Sequence, residues 1–128
     1  MKNTNIKLET LKNILNAEVL TENFPEKLEI CYFCCTELMS DVLAFTHEGD
    51  STVLITALSN SQTLRTAEMV DIKVVVIVRG KTIDRQLIEL AEENGITLLR
   101  TEEAMFEVAG KLCSHIKDEC NKEKSKNG

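Results

Sequence analysis

The chain has 128 residues and a mass of 14.4 kDa, which fits one domain with a single hydrophobic core. It holds 15 Lys and Arg residues against 21 Asp and Glu residues, and the net charge of −6 disfavours binding to nucleic acids or to anionic membrane surfaces. No apolar run is long enough to span a membrane and no apolar segment near Met1 predicts secretion, so we expect a cytoplasmic protein with no membrane or nucleic-acid partner.

The predicted elements in the first part of the chain are short. Hydrophobic spacing and turn residues predict, in order, a helix at Glu9–Asn16, a strand at Ala17–Thr21, a loop at Glu22–Lys27, a strand at Ile30–Cys35 and a helix at Glu37–Thr46. The strand Ile30–Cys35 carries apolar side chains on both faces, so we expect it to be buried on both sides. Gly49 follows the helix and is predicted to end it in a left-handed conformation.

The rest of the chain alternates strands and helices with short connections. Strands are predicted at Thr52–Thr56, Lys73–Val78 and Thr97–Leu99, and helices at Gln62–Val70, Asp84–Asn94 and Glu102–Lys117. The apolar run Val74–Val78 is typical of a parallel strand that is covered on both faces, with Val75 and Ile77 on the same side.

This alternation predicts the fold class. We expect an α/β fold in one domain, with a mainly parallel sheet, right-handed βαβ crossovers and helices packed on the sheet. Residues 1–116 form the predicted domain. Residues 117–128 are charged and have no apolar side chain after Cys120, so they are predicted to be a disordered tail.

The segment Arg79–Thr82, which reads RGKT, lies between a hydrophobic strand and a helix and resembles the end of a phosphate-binding P-loop. A P-loop requires another glycine five residues before Gly80, but that residue is Val75, inside the predicted strand. The loop is therefore too short to wrap a triphosphate. Nucleotide hydrolysis and kinase activity are disfavoured, and we expect a protein that is not an enzyme.

Polar and cationic residues are predicted to meet at the carboxyl edge of the sheet, where open α/β sheets bind ligands. The candidate anion-binding residues follow three strands and are Asn60, Ser61, Gln62, Arg65, Arg79, Gly80, Lys81, Thr82 and Thr101. Helix N termini would offer free N–H groups there, Gly80 would admit a ligand to the backbone, and Thr82 would cap a helix. The alternative, in which these residues are plain helix caps and solvated charges, stays open.

Cysteine and histidine residues give no clear chemical site. Five cysteines are an odd number, and no disulfide framework is expected. Cys31 and Cys34 have the spacing of a C-x-x-C motif, but alternation along a strand places them on opposite faces, so no metal or cofactor is predicted. His47 and His115 form no convincing catalytic set. A small thiol-based metal or redox protein that uses Cys31, Cys34 and Cys35 is the alternative function.

Several segments together resemble the DRTGG domain family. They are ELMSDVLA at Glu37–Ala44, EGD at Glu48–Asp50, LSN at Leu58–Asn60, RTAEM at Arg65–Met69, VRGK at Val78–Lys81 and MFE at Met105–Glu107. The resemblance covers the chain from about Leu8 to Leu112 and extends to the N-terminal domain of HPr kinase/phosphorylase. The namesake loop of the family falls near Pro25–Ile30, which reads PEKLEI here and contains no Gly-Gly pair.

The resemblance implies a regulatory or assembly module without catalytic residues. Such a module would act as a homodimer, and it would sense a small anionic metabolite or nucleotide or bind a protein partner from a regulatory or redox system. A serine-kinase label on this chain would be inherited from larger proteins, because the chain has no P-loop.

Overall fold

The computed structural model describes the backbone of residues 5–127 and the side chains of residues 5–118. Its strands are β1 (Ile6–Lys7), β2 (Glu18–Val19), β3 (Glu29–Ile30), β4 (Tyr32–Cys35), β5 (Thr52–Thr56), β6 (Val74–Ile77) and β7 (Thr97–Arg100). Its helices are α1 (Leu8–Ile14), α2 (Met39–Phe45), α3 (Ser61–Met69), α4 (Arg85–Glu93) and α5 (Met105–Asn127), and one 3-10 turn spans Gly49–Ser51. The predicted alternation of strands and helices is present from β4 onward.

Five strands form one sheet in the order β2-β7-β6-β5-β4. Strands β4 to β7 are parallel neighbours, as short crossover connections through helices require, and only β2 is antiparallel. Strands β1 and β3 pair with each other in a separate two-stranded sheet. The predicted fold class, an α/β domain with a mainly parallel sheet, is confirmed.

Both faces of the large sheet are buried by helices. Helices α1 and α5 cover the face that carries Val74 and Val76 of β6, whereas α2, α3 and α4 cover the face that carries Val75 and Ile77. Each of these four side chains is at most 1% exposed. The two-sided burial predicted for this strand is therefore confirmed.

The strand predicted at Ile30–Cys35 is divided in the structure. Its residues contribute to β3 and to β4, which are separated at Cys31, and the Cys31 N–H donates to the carbonyl of Ser51 at 2.7 Å. Strand β4 lies at the edge of the sheet, and its side chains range from half-buried to exposed. Phe33 and Cys34 pack against the cores on opposite faces of the sheet, but each is only half-buried, so the predicted burial on both sides is reached only in part.

Gly49 does not end α2 as predicted. The helix ends at Phe45, and Gly49 begins the 3-10 turn without a positive φ. A Cβ atom at Gly49 would lie 1.7 Å from the carbonyl oxygen of Val70. The glycine is thus required by a close backbone contact with the end of α3. Gly95, in contrast, has a φ of +68° and follows α4 as predicted.

Helix α5 is longer than the helix predicted at Glu102–Lys117. It begins at Met105 and continues to Asn127, so its backbone is helical over most of the segment predicted to be a tail. Lysine and glutamate are frequent in that segment and are good helix formers. The side chains after Asp118, including that of Cys120, lie outside the described residues. The domain boundary at residue 116 stays a prediction. None of the helices described here is both long and apolar enough to cross a bilayer.

Candidate functional site

The connections after β6 and β7 leave the sheet toward opposite faces, because α4 packs on one face and α5 on the other. Ligands of open α/β sheets bind in the crevice that such a divergence creates. Here the two connections are joined by backbone hydrogen bonds. The Arg79 N–H donates to the carbonyl of Glu103 and the Gly80 N–H donates to the carbonyl of Thr101, each at 2.8 Å. Neither N–H group is available to an anion.

Arg79 and Gly80 both adopt left-handed backbone conformations, with φ values of 74° and 60°. Gly80 packs against Glu102, and a Cβ atom at Gly80 would lie 3.2 Å from the Glu102 Cγ atom. Gly80 therefore serves the turn and its contact with the next connection. It does not open the backbone to a ligand as predicted.

Two threonines of the predicted site have structural roles. Helix α4 begins at Arg85 with Asp84 at its N-cap position, so Thr82 does not cap this helix. Thr101 is buried, and its hydroxyl donates to the carbonyl of Leu15 at 2.7 Å. The turn at Arg79 and Gly80 places the start of α4 later in the chain, at Arg85. The local sequence does not predict this turn, because it depends on hydrogen bonds to the connection after β7.

The RGKT segment is not a P-loop in the structure. Val75, the position of the missing glycine, is fully buried in β6 and pairs with Leu54 of β5 and Leu98 of β7. The turn that follows β6 is bound to the connection after β7. This geometry disfavours a nucleotide-hydrolysing or kinase site.

Charged side chains at the carboxyl edge bind the protein's own backbone. Lys81 Nζ donates to the carbonyl of Ala57, while the Glu37 carboxylate accepts hydrogen bonds from the Ala57 N–H and the Thr56 hydroxyl, each at 2.7 Å. Together they hold the peptide that follows β5. The cation of Arg100, which also lies at this edge, forms an ion pair with Glu18 at 2.8 Å.

The N terminus of α3 carries the predicted cap. Asn60 Oδ1 accepts a hydrogen bond from the Thr63 N–H at 3.1 Å. A cleft of about 470 Å³ lies beside this helix end and is lined by three carboxylates, those of Asp84, Glu89 and Glu93. Their negative charge offsets the attraction of the helix N terminus for an anion.

The structure brings only part of the predicted anion site together. Asn60 and Ser61 line the acidic cleft, whereas Thr101 lines a separate cleft with Arg100. Gln62 and Arg65 are exposed on α3 and do not line the cleft beside its N terminus. The side chains of Arg79 and Lys81 are exposed on the turn after β6. Binding of an anion by these residues stays a prediction.

The cysteines are distributed over several environments. Cys31 is buried, and its thiol donates to Asn5 Oδ1 at 2.9 Å. Desolvation raises the pKa of Cys34, with a smaller contribution from the charge of Asp41. Desolvation of the sulfur, followed by nearby charges that include Cys34, raises the pKa of Cys35 to about 11. Both thiols are therefore protonated at neutral pH. Within residues 5–118, no group of three or more His, Cys, Asp or Glu side chains is arranged to hold a metal ion.

Comparisons with known proteins agree with this fold. The sequence pattern of the DRTGG domain matches residues 10–114, which is most of the chain. The chain belongs to the DRTGG domain family. No curated protein matches it.

A similar solved structure contains the CBS and DRTGG domains of the regulatory region of the Clostridium perfringens pyrophosphatase, in complex with the activator diadenosine tetraphosphate. The TM-score is 0.62 at 19% identity, over 83% of this chain and 45% of that chain. This DRTGG domain therefore spans less than half of the solved chain. At that identity, the similarity shows a common fold.

The segment at the predicted position of the DRTGG namesake loop holds helix α1. The carbonyls of Leu28 and Glu26 accept the N–H groups of Leu8 and Glu9 at 2.9 and 3.0 Å. Ile30 pairs with Ile6 in the small sheet. Because the Lys7 side chain provides no cap for α1, these carbonyls bind the first N–H groups of the helix instead.

Sequence reasoning missed a cleft beside the edge strand β4 of this DRTGG domain. Its volume is about 650 Å³, and it is lined by Tyr32, Phe33, Cys34, Phe45, Thr46, His47, Glu48 and Thr52. The sequence offers only a weak signal for it, because the lining residues come from β4, β5 and the end of α2. Parallel pairing of β4 with β5 and packing of α2 bring them together.

Proposed function

We propose that this DRTGG domain is a non-catalytic regulatory module that assembles as a homodimer through exposed apolar side chains on and beside α2. The observation that carries the proposal is the exposure of Leu38, Leu43 and Phe45, which flank the buried stripe of this helix and are together called the α2 patch. These side chains are 56%, 44% and 71% exposed. Exposed apolar patches on soluble domains commonly mark interaction sites.

The α2 patch lies outside the packing of the helix within its own chain. Met39 and Val42 point into the core between α2 and the sheet and are at most 8% exposed. A helix that buries one stripe and still exposes large apolar side chains elsewhere has a second surface to cover. We propose that a second copy of the chain covers the α2 patch.

A second copy fits the patch because the patch is nearly free of charge. The only charged residue in α2 is Asp41, although the whole chain has a net charge of −6. Two such surfaces can approach around a twofold axis with little repulsion between them, and this is the usual symmetry of homodimers. Met69, at the end of the neighbouring helix α3, is a further large apolar side chain that is exposed, at 73%.

The regulatory part of the proposal rests on family membership and on the setting of the similar structure, whose DRTGG domain belongs to the regulatory region of a pyrophosphatase. A small anionic metabolite or nucleotide is the ligand that we propose for the exposed side chains of Arg79 and Lys81. A protein partner from a regulatory or redox system would be contacted by the assembled dimer.

The alternative function, a thiol-based metal or redox protein, has less support. The raised pKa values of Cys34 and Cys35 keep both thiols protonated, whereas metal ligation and thiol exchange use the thiolate. Cys31 is buried and donates a hydrogen bond to Asn5. We therefore favour the regulatory module.

Light scattering coupled to size-exclusion chromatography tests the homodimer. At tens of micromolar, the chain should elute with twice its mass of 14.4 kDa. Leu43→Asp should yield a folded monomer, since it places a charge in the α2 patch. The matched control is Phe106→Asp, because Phe106 is 89% exposed on α5 and should leave the dimer unchanged. A monomeric wild-type protein, or a dimeric Leu43→Asp variant, would contradict the proposal.

A further inference from the structure

The cleft beside β4 concentrates the aromatic side chains of the chain. Only five aromatic residues are present, and three of them, Tyr32, Phe33 and Phe45, line this cleft. Its volume of about 650 Å³ falls within the ~300–1,000 Å³ range of small-molecule sites. Aromatic faces exposed in a cleft of this size favour a flat ligand that can stack on them.

A buried hydroxyl in the same cleft has no partner. Thr46 Oγ1 is inaccessible to solvent and forms no hydrogen bond with any described residue. Buried polar atoms are nearly always hydrogen-bonded, because an unmade bond costs about 1–3 kcal/mol. Thr46 also lines the cleft, so a rotation of its side chain would present this hydroxyl to an acceptor atom of a bound ligand.

The carboxylate of Glu48 is part of the cleft lining. It lies near the Tyr32 hydroxyl and raises the pKa of Tyr32. The Glu48 carbonyl accepts the Thr52 hydroxyl at 2.7 Å and the Ser51 hydroxyl at 3.3 Å. These bonds hold the Glu48 peptide in place, and the Glu48 carboxylate can accept N–H donors from a ligand.

The charge of the cleft selects against anions. Its lining residues include Glu48 but no lysine or arginine among the described residues. Where His47 of the lining is neutral, a phosphate group in the cleft would be repelled by Glu48 without a compensating cation. The complementary ligand is a neutral ring system that donates N–H groups and also accepts a hydrogen bond.

We infer that this cleft binds a neutral, planar nitrogen heterocycle of the nucleobase type. The ring would stack on Phe45 and Tyr32, its N–H groups would bind the Glu48 carboxylate, and a ring nitrogen or carbonyl would accept the Thr46 hydroxyl. This site is separate from the turn at Arg79 and Lys81. It goes beyond the proposed regulatory homodimer and shares only Phe45 with the α2 patch.

Titration of the ¹⁵N-labelled protein with adenosine and with guanosine, followed by NMR, tests the inference. At least one nucleoside should bind in the millimolar range or tighter, with the largest shifts at residues 32–34 and 45–48. AMP should shift these same residues with an affinity no higher than that of adenosine, because Glu48 repels its phosphate, whereas shifts around residues 79–81 would report the separate anion site. Absence of binding for both nucleosides, shifts confined to other residues, or tenfold tighter binding of AMP at residues 32–34 and 45–48 would each overturn the inference.

Thr46→Val is the decisive variant. It removes only the unpartnered hydroxyl, so the variant should fold with a melting temperature no lower than that of the wild type while binding the nucleoside about tenfold more weakly. Phe45→Ala should weaken binding at least fivefold through lost stacking, and Phe106→Ala is its matched control. Leu43→Asp should bind the nucleoside at least as tightly as the wild type, because Leu43 does not line the cleft and a monomer leaves Phe45 uncovered. Unchanged affinity in Thr46→Val and Phe45→Ala would overturn the inference.

Discussion

At the scale of single residues, replacing Gly49 or Gly110 with alanine should have opposite effects on the free energy of unfolding. In Gly49→Ala the new Cβ atom would lie 1.7 Å from the carbonyl oxygen of Val70, whereas a Cβ atom at Gly110, in α5, meets no atom within 4 Å. Gly49→Ala should lower the free energy of unfolding by at least about 2 kcal/mol, because backbone must move. Gly110→Ala should raise it by about 0.5–1 kcal/mol, because alanine favours the helix. Urea unfolding measures both, and equal stabilities would contradict the contact.

The raised pKa of Cys35 predicts slow alkylation. With a pKa of about 11, its thiolate fraction at pH 8.5 should be on the order of a hundredfold below that of a free thiol, whose pKa is ~8.5. The iodoacetamide rate at Cys35 should therefore keep rising with pH up to about 11. Peptide mass spectrometry, with N-acetylcysteine as the reference thiol, follows that rate. A rate equal to the reference at pH 8.5 would show that the sulfur is not desolvated.

At the scale of elements, we expect a charge introduced into strand β6 to cause the largest loss of stability. Val76 is fully buried between the sheet and the helices α1 and α5. Val76→Asp would place an unpaired charge there, which costs several kcal/mol and approaches the whole stability of a small domain. We expect the variant to be insoluble or unfolded by circular dichroism. Lys73→Asp, at an exposed position just before the strand, should remain folded, and cooperative melting of Val76→Asp would contradict the assignment.

At the scale of the whole molecule, the proposed anion site at the carboxyl edge of the sheet makes anion binding depend on the charges of Arg79 and Lys81. A thermal-shift screen with pyrophosphate and ATP should show stabilisation, by ~2.7 kcal/mol at one hundred times the dissociation constant. Arg79→Glu combined with Lys81→Glu should abolish that shift. The control pair, Lys27→Glu with Lys73→Glu, makes the same change in net charge at exposed positions elsewhere and should retain it. Equal shifts in both pairs would place the anion elsewhere.

The sequence alone determined the elements whose signal is local. Val74–Val78 predicted a buried parallel strand because a run of apolar side chains can be covered only on two faces, and Asn60 predicted a helix cap because its side chain reaches the next turn. The fold class followed from the order of such elements. The family resemblance followed from matching loop and helix segments, and the family comparison confirmed it.

Tertiary structure decided everything that depends on distant contacts. Gly80 became part of a closed turn because the connection after β7 occupies the crevice, and Gly49 became essential because the end of α3 lies against it. Strand β4 became an edge strand because the chain places no partner on its other side among residues 5–127. The cleft around Tyr32 and Glu48 is formed by residues from three elements, so no local sequence pattern predicts it. Residue types set what each segment can form, while the packing of remote segments set which surfaces remained open.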